Sequence, residues 1–351
     1  MEFFDRLAEM GHEEVVIASD PSCGYRGIIA VHSTALGPAL GGTRFWKYES
    51  DEAAITDALR LSRGMTYKNA VAGLDLGGGK SVILGDNRTK NREDIFRAHG
   101  RFVESLGGRY ITAEDVGTGT ADMDFVHMET EHVAGLKEKS GDPSPVTAHG
   151  VFRAIQASAK QRWGSDDLTG KVVTIQGCGN VGRFLAKELH EAGAKLIVSD
   201  IDPERTARVA TDTGATVVQG DDIYTAKADI FAPCALGGII NDETLPKLKV
   251  AVIAGAANNQ LLEPRHGDKL EEMGMQYAPD YVANAGGVIN VFGEVAGWDA
   301  DRALRKADDI YETILTVFEI AKTEGIPSYV AADRLAERRL KSAGSKWKPT
   351  P

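Results

Sequence analysis

The stretch VVTIQGCGNVGRFLAKEL, residues 172–189, places three glycines between a β-branched apolar run and an amphipathic segment. Gly177, Gly179 and Gly182 form the pattern G-x-G-x-x-G, and a second apolar run, KLIVSD, ends at Asp200. This order predicts a strand, a glycine turn that opens a helix, and a second, parallel strand. Such a unit is typical of a dinucleotide-binding α/β domain, in which the pyrophosphate lies at the helix N-terminus.

Asp200 indicates which dinucleotide this unit binds. An acidic residue at this place accepts a hydrogen bond from the ribose 2′-hydroxyl and repels a 2′-phosphate. No arginine directly follows Asp200, and Asp202 adds negative charge. We therefore predict NAD rather than NADP, and we interpret Cys178 in the loop as a small filler residue rather than a nucleophile. The predicted cofactor residues of this unit are Gly177, Gly179, Asn180, Val181, Gly182 and Asp200.

Strand and helix signals alternate strictly around this unit. Short β-rich runs recur up to residue 282, and residues 301–325 have the apolar periodicity of one long helix. Continuous β-rich runs that alternate with helices favour a parallel sheet covered on both faces. We therefore predict a Rossmann-type, doubly wound dinucleotide-binding domain over residues 145–324.

The first third of the chain has a different order. Strand signals occur at residues 14–20, 26–34, 80–85 and 109–115, and helix signals at 50–68 and 92–108, with Ser50 as N-cap. The polar segment 137–150 reads as a linker. The predicted fold class is therefore α/β with two domains and a cleft between them. The N-terminal α/β substrate domain covers residues 1–135, joined by a C-terminal helix at about 325–345.

Composition limits the classes of function. The chain has 351 residues, 42% hydrophobic and 26% charged, which is ordinary for a globular protein of about two domains. The net charge of −11 argues against a nucleic-acid partner, and no apolar run is long enough to cross a membrane. Three separated cysteines predict neither disulfides nor a metal site, and the N-terminus lacks signal-peptide features. We expect a cytoplasmic protein without a metal.

The stretch LDLGGGKSVI, residues 74–83, presents Lys80 directly after three glycines. One interpretation is a tight turn into a buried strand; the other is a reactive amine held where a ligand approaches the main chain. Lys68 ends the predicted helix 50–68, and Asp115 follows a predicted strand. One lysine could bind an anion and lower the pKa of the other into the range of a general base. Spacing alone leaves both interpretations open.

Two adjacent amides follow another predicted strand. Asn258 and Asn259 come directly after the run VAVIAGAA. Ligands of open α/β sheets bind at the carboxyl ends of parallel strands, so these amides could hold a nicotinamide carboxamide or a substrate carboxylate. Asparagine also suits a plain turn that closes a strand, and that alternative stays open.

Seven separated motifs together resemble one family. They are LGPALGGTR, GMTYKNAVAGLDLGGGKSVI, RYITAEDVGT, GCGNVG, APCALGG, AGAANNQL and APDYVANAGGVINV. In this order they resemble the glutamate/leucine/phenylalanine/valine dehydrogenases, most of all the leucine dehydrogenase branch, over residues 3 to about 340. The resemblance implies oxidative deamination of an L-amino acid to a 2-oxo acid and ammonia, with NAD as hydride acceptor. It also implies a homo-oligomer, often an octamer.

The resemblance assigns roles to matching positions. Lys68, helped by Asn259, would bind the substrate carboxylate. Lys80 would activate the water that attacks the imine, and Asp115 would support proton transfer and hold the amino group. Thr147 and Asn258 would orient the nicotinamide. Gly41 and Gly42 would offer backbone beside the substrate, and the side-chain pocket would be formed by Leu40, Ala113, Val288 and Val291.

Three alternative functions would require different sequence features. A non-catalytic dinucleotide-binding protein would be marked by loss of a lysine, and Lys68 and Lys80 are both present. A 2-hydroxy-acid dehydrogenase would need a histidine base paired with an acid and an arginine for the carboxylate. Within the family, phenylalanine enzymes tend to have glycine at Ala113 and a larger aliphatic residue at Val291, so these positions favour branched aliphatic substrates. Phe292 departs from the small residue common in the leucine branch.

Overall fold

The computed structural model describes residues 3–136 and 141–343, and they form two compact units. The first unit lies within Met1–Gly141, Val291–Gly297 and Ala336–Pro351, and the second within Asp142–Asn290 and Trp298–Leu335. Each unit is built on its own sheet with helices against it. The predicted fold class, α/β with two domains, is confirmed. None of the described helices combines the length and apolarity that crossing a bilayer requires.

The first unit contains a five-stranded mixed sheet in the order β1-β2-β4-β3-β5. Strand β2 pairs antiparallel with β1 and β4, whereas β3 runs parallel to both β4 and β5. Its elements are α1 (Phe3–Met10), β1 (Glu14–Asp20), β2 (Tyr25–Ser33), β3 (Ala39–Trp46), α2 (Asp51–Val71), β4 (Gly77–Leu84), α3 (Arg92–Glu104), β5 (Tyr110–Glu114) and α4 (Thr120–His127).

The two faces of this sheet bury different cores. On one face, Phe45, Tyr110 and neighbouring strand residues pack with Phe96 of α3 and Met123 of α4. On the other face, residues of β2 and β4 pack against the buried side of α2, including Leu59. Because side chains alternate along a strand, one set of positions faces α3 and the next faces α2.

The triple glycine is not a turn. Residues 77–79 lie inside β4 and pair with β2 and β3, so the interpretation of this stretch as a turn before a strand is wrong. The glycines are required by close packing: a Cβ on Gly78 would overlap the backbone nitrogen of Thr66 in α2, and one on Gly79 would lie 2.6 Å from Cδ2 of Tyr110. Strand β3 was missing from the predicted order, because its centre, LGGT, lacks the β-branched density of the other strands.

The second unit contains a six-stranded parallel sheet in the order β11-β10-β9-β6-β7-β8. Its elements are α5 (Ser144–Trp163), β6 (Val172–Gln176), α6 (Asn180–Glu191), β7 (Lys195–Ser199), α7 (Pro203–Thr213), β8 (Thr216–Val217), α8 (Asp222–Thr225), β9 (Ile230–Pro233), β10 (Val252–Ile253), α9 (Pro264–Glu272), β11 (Gln276–Tyr277), α10 (Asp280–Ala283), α11 (Gly286–Val295), α12 (Ala300–Ala307), α13 (Ile310–Glu324) and α14 (Ser328–Ala343), of which α11 and α14 have their C-terminal parts in the first unit.

Two element predictions for this half need correction. The predicted linker 137–150 contains the start of α5, whose first turn is Pro-containing and polar; residues 137–140 lie outside the described residues. The single long helix predicted over 301–325 is two helices, α12 and α13, separated at Asp308 and Asp309. The Asp308 carboxylate accepts hydrogen bonds from outside its helix, at 3.1 Å from Nε2 of His149, and adjacent aspartates are weak helix formers.

The different surroundings of Gly78 in β4 and Gly64 in α2 predict opposite changes in the free energy of unfolding for two Gly→Ala variants. Gly78→Ala should lower the free energy of unfolding by about 2 kcal/mol, because the new methyl group overlaps the backbone of α2. Gly64→Ala lies inside α2 with open space around its Cβ and should raise it by about 0.5–1 kcal/mol. Urea midpoints measure both changes, and equal midpoints for the two variants would contradict the strand assignment.

Candidate active site

An ion pair between a buried lysine and a partly buried aspartate lies in the first unit. Lys80 lies on β4 with its side chain 6% exposed, and its Nζ donates a hydrogen bond to Oδ2 of Asp115 over 2.7 Å. Asp115 directly follows β5, and its backbone N–H donates to Oγ1 of Thr118 at 2.8 Å. The turn after β5 therefore holds the carboxylate against the amine, and the catalytic roles of Lys80 and Asp115 stay predictions.

The surroundings of the pair set its protonation. Burial is the largest influence on Lys80 and lowers the pKa of its ammonium; the Asp115 carboxylate acts against this, and the Arg44 guanidinium adds to the lowering. Burial disfavours ionisation of Asp115, but the cations of Lys80 and Arg44 outweigh it and lower the pKa of the carboxyl. The pair thus combines a stable anion with an amine that releases its proton below the ordinary lysine pKa.

Sequence reasoning did not single out Arg44. This residue lies on β3, and its Nε donates to Oδ2 of Asp115 at 3.0 Å, the same oxygen that Lys80 contacts. Its Nη1 donates to Oδ2 of Asp57 in α2 at 2.7 Å. A prediction of β3 as a strand would have made Arg44 a candidate. Side chains alternate along a strand, so Arg44 lies on the same face of β3 as Gly42, and Gly42 is aligned with Lys80 of β4.

Close approach of three strands brings further predicted residues to this face. A Cβ on Gly41 would overlap the carbonyl oxygen of Gly79, and one on Gly42 would lie 2.8 Å from Cβ of Asp115. Leu40 on β3 and Ala113 on β5 are both buried. By their register, Leu40, Gly42 and Ala113 point to the face that also carries Lys80. The structure therefore gives Gly41 and Gly42 a packing role, and their proximity to a substrate stays a prediction.

Lys68 lies in the last turn of α2, which is anchored on β4. The Asn69 side chain donates to the carbonyl oxygen of Gly77 at 2.5 Å, three residues before Lys80. The end of α2 is also held by Arg339 of α14, which donates to the carbonyl oxygens of Ala70 and Leu74 at 2.7 and 3.0 Å. These contacts fix the helix end that carries Lys68 relative to the strand that carries Lys80.

A polar network underlies the site on the opposite face of the sheet. His99 of α3 is fully buried, and its Nε2 lies 3.0 Å from Oγ1 of Thr43 and 3.3 Å from Oγ of Ser81. Its Nδ1 lies 2.9 Å from the hydroxyl of Tyr25. Burial lowers the pKa of His99 to about 3, so the ring is neutral and serves as both donor and acceptor. This network ties together the strands next to Gly42 and Lys80.

The second unit carries the glycine loop at the switch point of its parallel sheet. Strands β6 and β9 are neighbours, and the chain order diverges from them in both directions. Gly177 follows β6 with a φ of 101°, and a Cβ on Gly182 would overlap the Gly177 carbonyl oxygen. Gly179 faces open space and caps the N-terminus of α6. The loop is thus compact where it packs on α6 and open at the helix end that suits a pyrophosphate.

Asp200 follows β7 and contacts the glycine loop. Its Oδ2 accepts from the backbone N–H of Cys178 at 2.6 Å, and its Oδ1 accepts from that of Asp202 at 2.9 Å. A carboxylate has further lone pairs, so these bonds leave acceptor capacity for a ribose hydroxyl. Burial raises the pKa of the Cys178 and Cys234 thiols to about 12, so both thiols stay protonated and neither offers a thiolate.

The amides of Asn258 and Asn259 lie after β10, in a segment held by hydrogen bonds. Asn259 has a φ of 51°, which makes it the one non-glycine residue with positive φ in the described part of the chain. Oδ1 of Asn258 accepts from Nδ2 of Asn284 at 2.8 Å, and Asn284 also donates to the carbonyl oxygen of Ala256 at 3.0 Å. Asn284, which sequence reasoning did not single out, orients the Asn258 amide. Its own buried Oδ1 accepts no hydrogen bond from the described residues.

The remaining predicted residues are distributed over two helices. Thr147 lies in the first turn of α5, where its hydroxyl donates to the carbonyl oxygen of Pro143 at 2.9 Å. Val288 and Val291 lie three residues apart on α11, Val288 in the second unit and Val291 in the first. Their joining of Leu40 and Ala113 in one pocket stays a prediction. Residues 3–136 and 141–343 contain no group of three or more His, Cys, Asp or Glu side chains suited to hold a metal ion.

Family models match both halves of the chain. Residues 12–132 match the dimerisation domain of Glu/Leu/Phe/Val dehydrogenases, and residues 140–204 and 198–346 match the Glutamate/Leucine/Phenylalanine/Valine dehydrogenase domain.

The chain belongs to the Glu/Leu/Phe/Val dehydrogenase family.

Individual relatives span nearly the whole length of this dehydrogenase. It is 58% identical over 345 residues to the leucine dehydrogenase of Geobacillus stearothermophilus, covering 97% of this chain and 94% of the relative. It is 57% identical over 343 residues to the leucine dehydrogenase of Bacillus subtilis, with the same coverage. The crystal structure of L-tryptophan dehydrogenase from Nostoc punctiforme matches with a TM-score of 0.90 and 47% identity, covering 97% of this chain and 99% of that one.

The predicted family and the predicted class of activity are confirmed. The protein is an amino-acid dehydrogenase, and enzymes of this kind depend on a dinucleotide. Membership of this family sets aside the 2-hydroxy-acid dehydrogenase and the non-catalytic dinucleotide-binding protein.

Proposed function

We propose that this dehydrogenase catalyses the reversible, NAD-dependent oxidative deamination of branched-chain aliphatic L-amino acids, namely leucine, valine and isoleucine. One amino acid, one NAD⁺ and one water give one 2-oxo acid, one ammonium ion, one NADH and one proton. The observation that carries the proposal is the contact of 2.7 Å between the buried Lys80 ammonium and the Asp115 carboxylate. The high identity to two proteins named leucine dehydrogenase supports the choice of substrate.

The acid/base groups and most of the substrate-binding groups belong to the first unit, whereas Asn259 belongs to the second. Lys68, with Asn259, binds the substrate carboxylate, and backbone at Gly41 and Gly42 lies beside the substrate. Asp115 holds the amino group, because its carboxylate is kept anionic by Lys80 and Arg44. When bound, NAD accepts the hydride from the substrate Cα.

Lys80 activates the water that attacks the resulting imine. A base for this step must be neutral near the working pH, and burial lowers the pKa of Lys80 in that direction. The carbinolamine that forms then collapses to the 2-oxo acid. The nitrogen of the carbinolamine leaves as ammonia, and the contact of 2.7 Å between Lys80 and Asp115 supports a proton transfer through these two groups.

The second unit would hold the cofactor. The residues that fit NAD are the loop Gly177–Gly182, including Asn180 and Val181, and the Asp200 carboxylate. Thr147 and Asn258 would orient the nicotinamide, with Asn258 aligned by Asn284. We further propose that the first unit is the substrate domain and the second the cofactor domain. A homo-oligomer, an octamer by resemblance, and a cytoplasmic location complete the proposal; the family's description of residues 12–132 as a dimerisation domain supports self-association.

The alternative substrate class is the aromatic amino acids. The crystal structure with a TM-score of 0.90 belongs to a protein named for tryptophan. Its overall similarity does not favour aromatic substrates, because the leucine dehydrogenases are more identical to this chain. Ala113 is buried, and under the proposed pocket its methyl group takes space that an aromatic side chain would need.

The apolar pocket predicts an order of substrates. Leucine, valine and isoleucine should be used well, aromatic amino acids less, and glutamate negligibly, because its second carboxylate would be buried without a partner at a cost of several kcal/mol. Discrimination among aliphatic substrates should stay within about 1–3 kcal/mol. The measurement is kcat/KM for a panel of L-amino acids, followed by NADH absorbance. Ala113→Gly should shift the ratio toward phenylalanine; a wild-type preference for phenylalanine or tryptophan over leucine would contradict the pocket.

The two lysines predict different kinetic losses. Lys80→Ala should lower kcat by orders of magnitude and still bind NADH, because it removes the base but no cofactor contact. Lys68→Ala should mainly raise KM for the amino acid, because it removes the cation of the carboxylate site. Steady-state kinetics and NADH fluorescence titration separate the two effects. Near wild-type kcat in Lys80→Ala would rule out its role as base.

Asp200 predicts the coenzyme preference. NAD should exceed NADP by at least about tenfold in kcat/KM, equivalent to about 1.4 kcal/mol, because a 2′-phosphate would meet the carboxylate. Asp200→Asn should narrow this ratio by removing the negative charge, and its single amide oxygen can still accept from one of the two backbone N–H groups, those of Cys178 and Asp202, that the carboxylate binds. Equal kcat/KM of the wild type with NAD and NADP would show that Asp200 does not discriminate between a ribose 2′-hydroxyl and a 2′-phosphate.

A further inference from the structure

Five alternating charges run from β4 to the exposed side of α2. Lys80 contacts Asp115, Asp115 contacts Arg44, Arg44 contacts Asp57, and Asp57 contacts Arg60, with distances from 2.7 to 3.0 Å. The four inner side chains are at most 24% exposed, whereas that of Arg60 is 57% exposed. The middle member, Arg44, helps to keep Asp115 anionic, and its contacts give it a further effect on Lys80.

Arg44 bridges two carboxylates with one rigid group. Its Nε donates to Asp115 and its Nη1 to Asp57, so the planar guanidinium fixes both acids. The Asp57 end is itself held, because Tyr48 donates its hydroxyl to Oδ2 of Asp57 at 2.7 Å and Arg60 donates to Oδ1 at 3.0 Å. A lysine ammonium has no such fork and cannot reproduce both bonds in one plane.

Arg44 and Lys80 compete for one oxygen. Both donate to Oδ2 of Asp115, at 3.0 and 2.7 Å, so the negative charge that attracts the Lys80 proton is shared between two cations. Without Arg44, the carboxylate would be neutralised by Lys80 alone, and the buried amine would keep its proton to higher pH. Asp115, Arg44 and the more distant Asp57 are the charged groups with the largest effects on Lys80: the two carboxylates favour its protonated form and the guanidinium opposes it.

We propose that Arg44 is a positioning residue of the reaction: it holds Asp115 beside Lys80 and takes up part of the carboxylate's charge, so that Lys80 can release its proton at the working pH. The inference rests on the proposed function, in which Lys80 is the base. Arg44 acts through Asp115 and needs no contact with the substrate.

Removal of the guanidinium should move the pH profile. In Arg44→Gln, the acidic limb of the kcat/KM profile should shift to higher pH by about one unit, because Lys80 then loses a repelling cation and neutralises Asp115 alone. Arg44→Lys retains the positive charge but not the planar guanidinium. Its acidic limb should therefore lie nearer to that of the wild type, while its kcat should be lower than that of the wild type. An unchanged limb in Arg44→Gln, or a limb in Arg44→Lys that shifts as far as in Arg44→Gln, would overturn the proposal.

Asp57→Asn gives a test of opposite sign. Asp57 favours the protonated form of Lys80, so its removal should shift the acidic limb to lower pH. Asp57→Asn also tests the proposal if Arg44→Gln does not fold. A shift of its acidic limb to lower pH supports the proposal. An unchanged limb, or a limb shifted to higher pH, overturns it. The matched control is Arg92→Gln, which breaks a comparably buried arginine–carboxylate pair with Asp122 in the same unit. It should lower stability and leave the pH profile unchanged.

A readout without turnover separates this inference from the proposed function. The pH midpoint of Lys80 acetylation, measured by mass spectrometry on the full chain, should rise in Arg44→Gln and fall in Asp57→Asn. If Lys80→Ala keeps its turnover, the proposed function fails whatever the acetylation midpoints are. If Lys80→Ala is inactive but the midpoint in Arg44→Gln equals that of the wild type, the role of Arg44 alone is wrong.

Discussion

The burial of one ammonium group against one carboxylate governs the first unit. A buried charge is costly unless it is paired, and Lys80 is paired only because β3, β4 and β5 approach closely enough to place Asp115 beside it. The glycines of β3 and β4 permit that approach, and the turn at Thr118 holds the carboxylate. The neutral His99 network on the opposite face fixes the same strands from behind. The primary effect of the residues around the pair is therefore to fix its geometry.

The second unit follows a different constraint, the accessibility of backbone N–H groups at a helix N-terminus. The loop after β6 closes tightly on α6 through Gly182 and stays open at Gly179. Asp200 ties the loop to the next strand through the N–H of Cys178. The same carboxylate thus shapes the loop and keeps unused lone pairs, which under the proposed function accept from a ribose hydroxyl.

Local patterns predicted some elements well and missed others for physical reasons. The Ser50 cap of α2 and the strand–loop–helix unit around Gly177 were predicted because their signals are local. Strand β3 was missed because its glycines are selected by neighbouring strands rather than by strand propensity. The break between α12 and α13 was missed because apolar periodicity continues across Asp308 and Asp309, while the side chain of Asp308 binds His149 of another helix.

The sequence by itself determined the two-domain α/β class, the dinucleotide loop and the family, because these depend on motifs whose residues are close in the chain. It also supplied Lys80 and Asp115, but only as candidates. The tertiary structure decided that they touch, that Arg44 binds the same carboxylate oxygen, and that Asn284 orients Asn258. Such contacts join residues 35, 71 and 26 positions apart. They depend on strand register and helix packing, which no local pattern specifies.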